Sequence, residues 1–91
     1  MQTTILMIDC ASERAEEIAE ALCHIAGVSE SYVTATASCR VIAVLRVPDI
    51  ESYNRTAAAV TAVDGVSAIV PVPVISARAA DDLARIRADY E

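Results

Sequence analysis

Cys23 and His24 stand side by side, and Cys10 and Cys39 complete a set of three cysteines around a single histidine. A thiolate and an imidazole could share a metal or form a nucleophile–base couple. The spacing speaks against both. Neighbours on a helix diverge by about 100°, so Cys23 and His24 face different ways. No CxxC or HxxxH spacing supplies a further ligand. The expectation is a surface His24 beside a core Cys23. Cys10 has no activating base in its surroundings and reads as an inert small hydrophobe. Glu13, Glu16, Glu17 and Glu20 could be read as a cation site, but a solvated helix start accounts for them. No catalytic residue, metal or cofactor is expected.

Three other groups bear on binding. Cys39 and Arg40 fall in a short turn, and such loops beside rigid strands often carry binding groups; a plain turn with a solvated Arg40 is equally compatible. Arg46 is a charge inside an apolar strand. Its two readings are a pair with an acid across an assembly interface and a strand end in water. Tyr32 and Tyr53 could line a pocket between protomers, with packing at the sheet edge and under a helix as the default.

The elements that position these residues are legible from periodicity. Apolar residues fill both parities from Ile5 to Ile8, which reads as a buried strand. Ser12 is the expected N-cap of a first helix whose stripe is Ala15, Ile18, Leu22 and Ile25, ended by Gly27. Residues 28–36 form a polar strand suited to a sheet edge. After the turn at 37–39 comes Val41 to Val47, again apolar on both faces. Asp49 caps a second helix with Ile50, Tyr53, Ala57 and Val60 on its stripe, ended by Asp64-Gly65. Residues 66–75 form a fourth strand. Its Pro71 and Pro73, two apart, put their missing donors on one side, as an edge strand tolerates. Ala79 to Tyr90 is helix-like, with Leu83, Ile86 and Tyr90 on one face.

The order is βαββαβ, and right-handed crossovers then give an α+β, ferredoxin-like sandwich with antiparallel sheet order 4-1-3-2. Residues 1–76 make the domain and 77–91 a C-terminal helical extension. Both glycines, Gly27 and Gly65, mark the ends of the two helices, where positive φ is needed.

Composition narrows the function classes. The chain has 91 residues, 55% of them hydrophobic, but its aromatics are three Tyr with no Phe or Trp. Aliphatic side chains build the core, and little is left for stacking bases. A net charge of −6 argues against nucleic acid as a partner. No segment resembles a signal peptide or a membrane span, and scattered cysteines suit a cytoplasmic chain with reduced thiols.

Two helices cover one face of a four-stranded sheet, yet the central strands are apolar on both. The uncovered face would exceed what monomers usually expose. Ile5, Met7, Ile42, Val44 and Arg46 are therefore expected in a homodimer interface formed sheet against sheet, with further assembly possible.

Thr3 to Ser76 resembles the ligand-binding domain of the Lrp/AsnC transcriptional regulators. The resemblance is carried by the opening strand, the Ala/Glu-rich helix ending in Ile25-Ala26-Gly27-Val28, the stretch Val41 to Tyr53, and the return at Val63-Asp64-Gly65-Val66. It implies a ferredoxin-like domain that dimerises through its sheet, often forms rings, and binds a small effector, usually an amino acid, near the hairpin. That places candidate ligand contacts at Thr36, Ala37, Ser38, Cys39 and Arg40. The family's hairpin reads Gly-x-aromatic-Asp; here Ala37, Ser38, Cys39 and Arg40 stand at those positions. Arg40 would favour a carboxylate or phosphate. Met1 leads at once into the first strand, so the chain is similar to stand-alone members that lack a helix-turn-helix and can co-assemble with full-length regulators. The expected function is an effector-binding and oligomerisation module in transcriptional or metabolic regulation, without enzymatic activity. The alternatives are a small dimeric enzyme of the monooxygenase or isomerase type, which would need a polar internal cavity, and an ACT-like amino-acid-binding domain.

Overall fold

The computed structural model describes residues 2–35 and 39–76. Its elements are β1 (Gln2–Asp9), a 3-10 turn (Ser12–Arg14), α1 (Ala15–Leu22), β2 (Val28–Val33), β3 (Val41–Val47), α2 (Ile50–Thr61) and β4 (Ala68–Pro73). The strands form one antiparallel sheet in the order β2-β3-β1-β4. This is the expected ferredoxin-like α+β arrangement, read from the opposite edge. Thr36, Ala37, Ser38 and the C-terminal extension with its Leu83, Ile86 and Tyr90 stripe lie outside the described residues.

Strand periodicity sets the core. Val41, Ala43, Leu45 and Val47 of β3 are buried, as are Leu6 and Ile8 of β1. All of these but Val47 form one cluster with Ala15, Ile18, Ala19 and Leu22 of α1 and Val60 of α2. Both helices therefore share one face of the sheet. A Leu→Ala truncation at a fully buried site such as Leu6 or Leu45 leaves a cavity that costs about 2–5 kcal/mol.

Several local expectations are corrected. Ser12 is not the N-cap of α1: it opens the 3-10 turn, and the residue before α1, Arg14, makes no side-chain cap. Asp49 does cap α2, its Oδ1 accepting the Ser52 N–H at 2.8 Å. Ile50 is 61% exposed and leaves the buried stripe. Thr56 takes a buried place instead, its hydroxyl donating to the Ala26 carbonyl at 2.9 Å. The first helix stops at Leu22, so Ile25 packs on the core from the following turn. The strands β2 and β4 are shorter than periodicity suggests.

The edge position of β4 follows from its prolines. Val74 N–H donates to the Thr3 carbonyl, so the even-numbered residues of β4 bond β1. Pro71 and Pro73 turn their donor-less nitrogens outward, where no ladder bond is lost.

Candidate functional site: the hairpin end and the outer sheet face

At the hairpin end, Cys39 is buried rather than displayed, and only 3% of its surface is accessible. Thr34 holds it: the hydroxyl donates to the Cys39 carbonyl at 2.7 Å, and Thr34 N–H donates to the Arg40 carbonyl at 2.8 Å. Arg40 N–H in turn donates to the Ile8 carbonyl at 3.0 Å, fastening the turn to β1. Of the five hairpin residues expected to meet a ligand, Arg40 is half-buried and Cys39 is enclosed.

Of the other two cysteines, Cys10 is buried as expected of a small hydrophobe and Cys23 departs from expectation. Burial, reinforced by Asp9, pushes the Cys10 thiol above the ordinary value. Cys23 is exposed, not a core residue, with its sulfur 3.0 Å from the Ser31 hydroxyl. Among the described residues no three His, Cys, Asp or Glu side chains come together as a metal site.

The face of the sheet turned away from the helices gathers Ile5, Met7, Ile42, Val44 and Arg46, the five residues expected at an interface. Ile5 pairs with Val44 and Met7 with Ile42 across β1 and β3. All four aliphatic side chains remain partly accessible. Val70 and Val72 of β4 extend the surface at 57% and 41% exposure, opposite Met7 and Ile5.

Arg46 is exposed one residue before the end of β3, close to the reading of a strand end in water, and it pairs within its own chain. Its Nη1 donates to the Ser29 hydroxyl at 2.8 Å and pairs with Glu30 at 3.2 Å. The Tyr32 hydroxyl donates to the other oxygen of Glu30. That hydrogen bond, followed by the one from Arg46, holds the Glu30 carboxyl below its ordinary range; the same contact with Glu30 raises the Tyr32 phenol. A bulge between Val28 and Glu30 creates this cluster. Without the register shift Glu30 would oppose Ala43 on the helix side; with it, Glu30 opposes Val44 on the outer face. Nothing in the residue types of β2 marks that shift. Tyr53, by contrast, packs against the core as expected.

No protein-family model and no curated protein matches the sequence. Solved structures do match. TTHA0845 from Thermus thermophilus is 21% identical with a TM-score of 0.77, covering 88% of this chain and 100% of that one. NapD, a Tat proofreading chaperone of E. coli, is 26% identical with a TM-score of 0.69, covering 88% and 80%. AsnC of E. coli is 12% identical with a TM-score of 0.78, covering 90% of this chain and 56% of its own, so this chain spans little more than half of AsnC. No helix among the described residues is long and apolar enough to cross a membrane. The resemblance to the Lrp/AsnC ligand-binding domain therefore holds at the level of fold: this chain carries the ferredoxin-like α+β domain found in the Lrp/AsnC regulator AsnC.

Proposed function

We propose that this chain is a ligand-binding and assembly module of the Lrp/AsnC regulatory type, homodimeric through its outer sheet face and without catalytic chemistry. The observation that carries the reading is the apolar outer face. The side chains of Ile5, Met7, Ile42, Val44, Val70 and Val72 form one continuous surface that neither helix covers. A second copy stacked on it buries these side chains on both partners. Full-length regulators of the same fold would offer a matching face for co-assembly. An effector, an amino acid in this reading, would bind where dimers meet near Arg40. Three scattered cysteines, Cys10, Cys23 and Cys39, that form no disulfide suit a reducing cytoplasm.

Mass in solution tests the assembly. The wild type is expected at twice 9.6 kDa or a higher even multiple. Ile42→Asp, a charge in the middle of the face, should give a folded monomer; a wild-type monomer at all concentrations refutes the dimer. Thermal shifts with the amino acids test the effector. Ligand at roughly a hundred times its Kd adds about 2.7 kcal/mol of stability, and no shift with any amino acid leaves assembly alone.

A second reading is favoured by the 26% identity to NapD, a chaperone of similar length. The same apolar face would then take a partner peptide rather than a second copy. A monomeric wild type that binds an apolar peptide, and loses it in Ile42→Asp, would decide for that reading. An enzymatic role is disfavoured by the aliphatic lining of the core, with Leu6, Ile8, Val41, Leu45 and Val60 where a reaction would need polar groups.

A further inference from the structure

At the end of the strands opposite the hairpin, the turn after α1 and the side of α2 enclose a cleft of about 440 Å³. Its apolar walls are Ile25, Ala26, Val47, Pro48 and Ala59; its charged and hydroxylic groups come from Arg46, Ser52, Arg55 and Thr56. No Asp or Glu lines it among the described residues, although the chain carries 13 acidic side chains against 7 basic. The absence of a side chain at Gly27 keeps the turn close: a Cβ there would strike the Thr56 hydroxyl.

The polar groups differ in what they have left to offer. Thr56 is spent on the Ala26 carbonyl, and the Arg46 guanidinium on Ser29 and Glu30. Arg55 bonds none of the described residues and feels Asp49 only at longer range. Ser52 is committed to the Asp49 cap through its N–H, and its hydroxyl also faces the Asp49 carboxylate, so Arg55 is the polar group left to meet a ligand.

We propose that this cleft binds a small aliphatic carboxylate, its oxygens on the Arg55 guanidinium and its hydrocarbon body against Ala26, Val47 and Ala59. A guanidinium fork matches a carboxylate, and an apolar cleft of this size accommodates a branched aliphatic chain. A phosphate, with up to two charges and more acceptors, would need the backbone donors that the cap has taken. A free amino acid fits worse than its deaminated counterpart. Its ammonium would sit near Arg55 with no carboxylate in the lining. Two carbonyls of the lining, of Ala26 and Gly27, already accept from Thr56 and from Arg46 N–H. The proposal rests on the reading of the chain as a ligand-binding module but moves the ligand away from the hairpin and changes its class.

Residue-resolved NMR titration with 4-methylpentanoate, and with leucine as the matched amino acid, tests it. Expected are saturable shifts at Ala26, Ser52, Arg55 and Ala59, with leucine markedly weaker. Arg55→Gln, on an exposed helix face, should weaken 4-methylpentanoate roughly tenfold or more, the value of a charged hydrogen bond. Ala59→Leu, which fills the cleft without altering charge, should weaken it as well. The proposal is overturned by absence of binding, by leucine binding equally well, or by an affinity unchanged in both variants. Shifts centred on Cys39 and Arg40 would also overturn it while leaving the regulatory reading intact. The mass of the unliganded protein judges the assembly separately.

Discussion

Single residues fix this fold at its two turns. Gly27 and Gly65 have nearly equal positive φ, 98° and 99°, so the backbone strain of an alanine there is about the same. What differs is the neighbour. A Cβ at Gly27 would strike the Thr56 hydroxyl and lie 3.1 Å from Val47, both packed groups; at Gly65 it would meet the Arg14 guanidinium, the end of a flexible side chain, and Ile18 at 3.1 Å. Gly27→Ala should therefore cost more than Gly65→Ala, with strain alone contributing roughly 1–3 kcal/mol in each. Equal losses in urea titrations would show that the contacts are immaterial. Acid should also act through identifiable groups. Asp49 and Glu30 both sit below their ordinary values, the first through the Ser52 N–H it accepts, the second through Tyr32 and then Arg46. Each folded carboxyl gives up its proton more readily than the unfolded one. Their contribution is thus complete above the ordinary carboxylate value of about 4 and fades as pH falls through the folded values. The urea midpoint should rise as pH increases toward the ordinary carboxylate value and level above it. Asp49→Asn, which keeps a capping oxygen but cannot titrate, should flatten part of that rise.

Among the elements, the strands were more legible than the helix ends. Alternation in Val41 to Val47 named the buried and outer residues individually, because a period of two leaves one degree of freedom once a face is buried. Helix ends depend on which polar group wins the free N–H groups. Asp49 wins its contest, whereas the stretch from Ser12 first makes a 3-10 turn and leaves α1 without a side-chain cap. Arg14 compensates from the same place, bridging Glu17 at 3.3 Å and Asp64 at 3.2 Å and so tying α1 to the turn before β4. The prolines of β4 serve the outside of the sheet, not its inside. Replacing both, as Pro71→Val with Pro73→Val, restores two outward N–H donors to an exposed edge. The double variant should keep the fold by circular dichroism and associate with rising concentration in light scattering. A variant as soluble as the wild type would show that the prolines do not guard this edge.

For the whole molecule, the decisive quantity is the apolar surface that one layer of helices leaves uncovered on a sheet whose central strands are apolar on both faces. It predicts that salt which strengthens apolar burial, such as sulfate, will drive association. Sedimentation at increasing sulfate should show a larger particle for the wild type and no change for Ile42→Asp; association insensitive to that substitution would place the contact elsewhere. The element order, the edge and central strands and the two-faced sheet are legible in the chain itself, because they follow from local periodicity and chain crossover rules. Where the charges go is set by packing between distant segments. The bulge in β2 turns Glu30 to Arg46 and Tyr32, and the close approach of Gly27 to Thr56 shapes the cleft beside Arg55. Both depend on register and on contacts between residues distant in the chain, which no local pattern encodes.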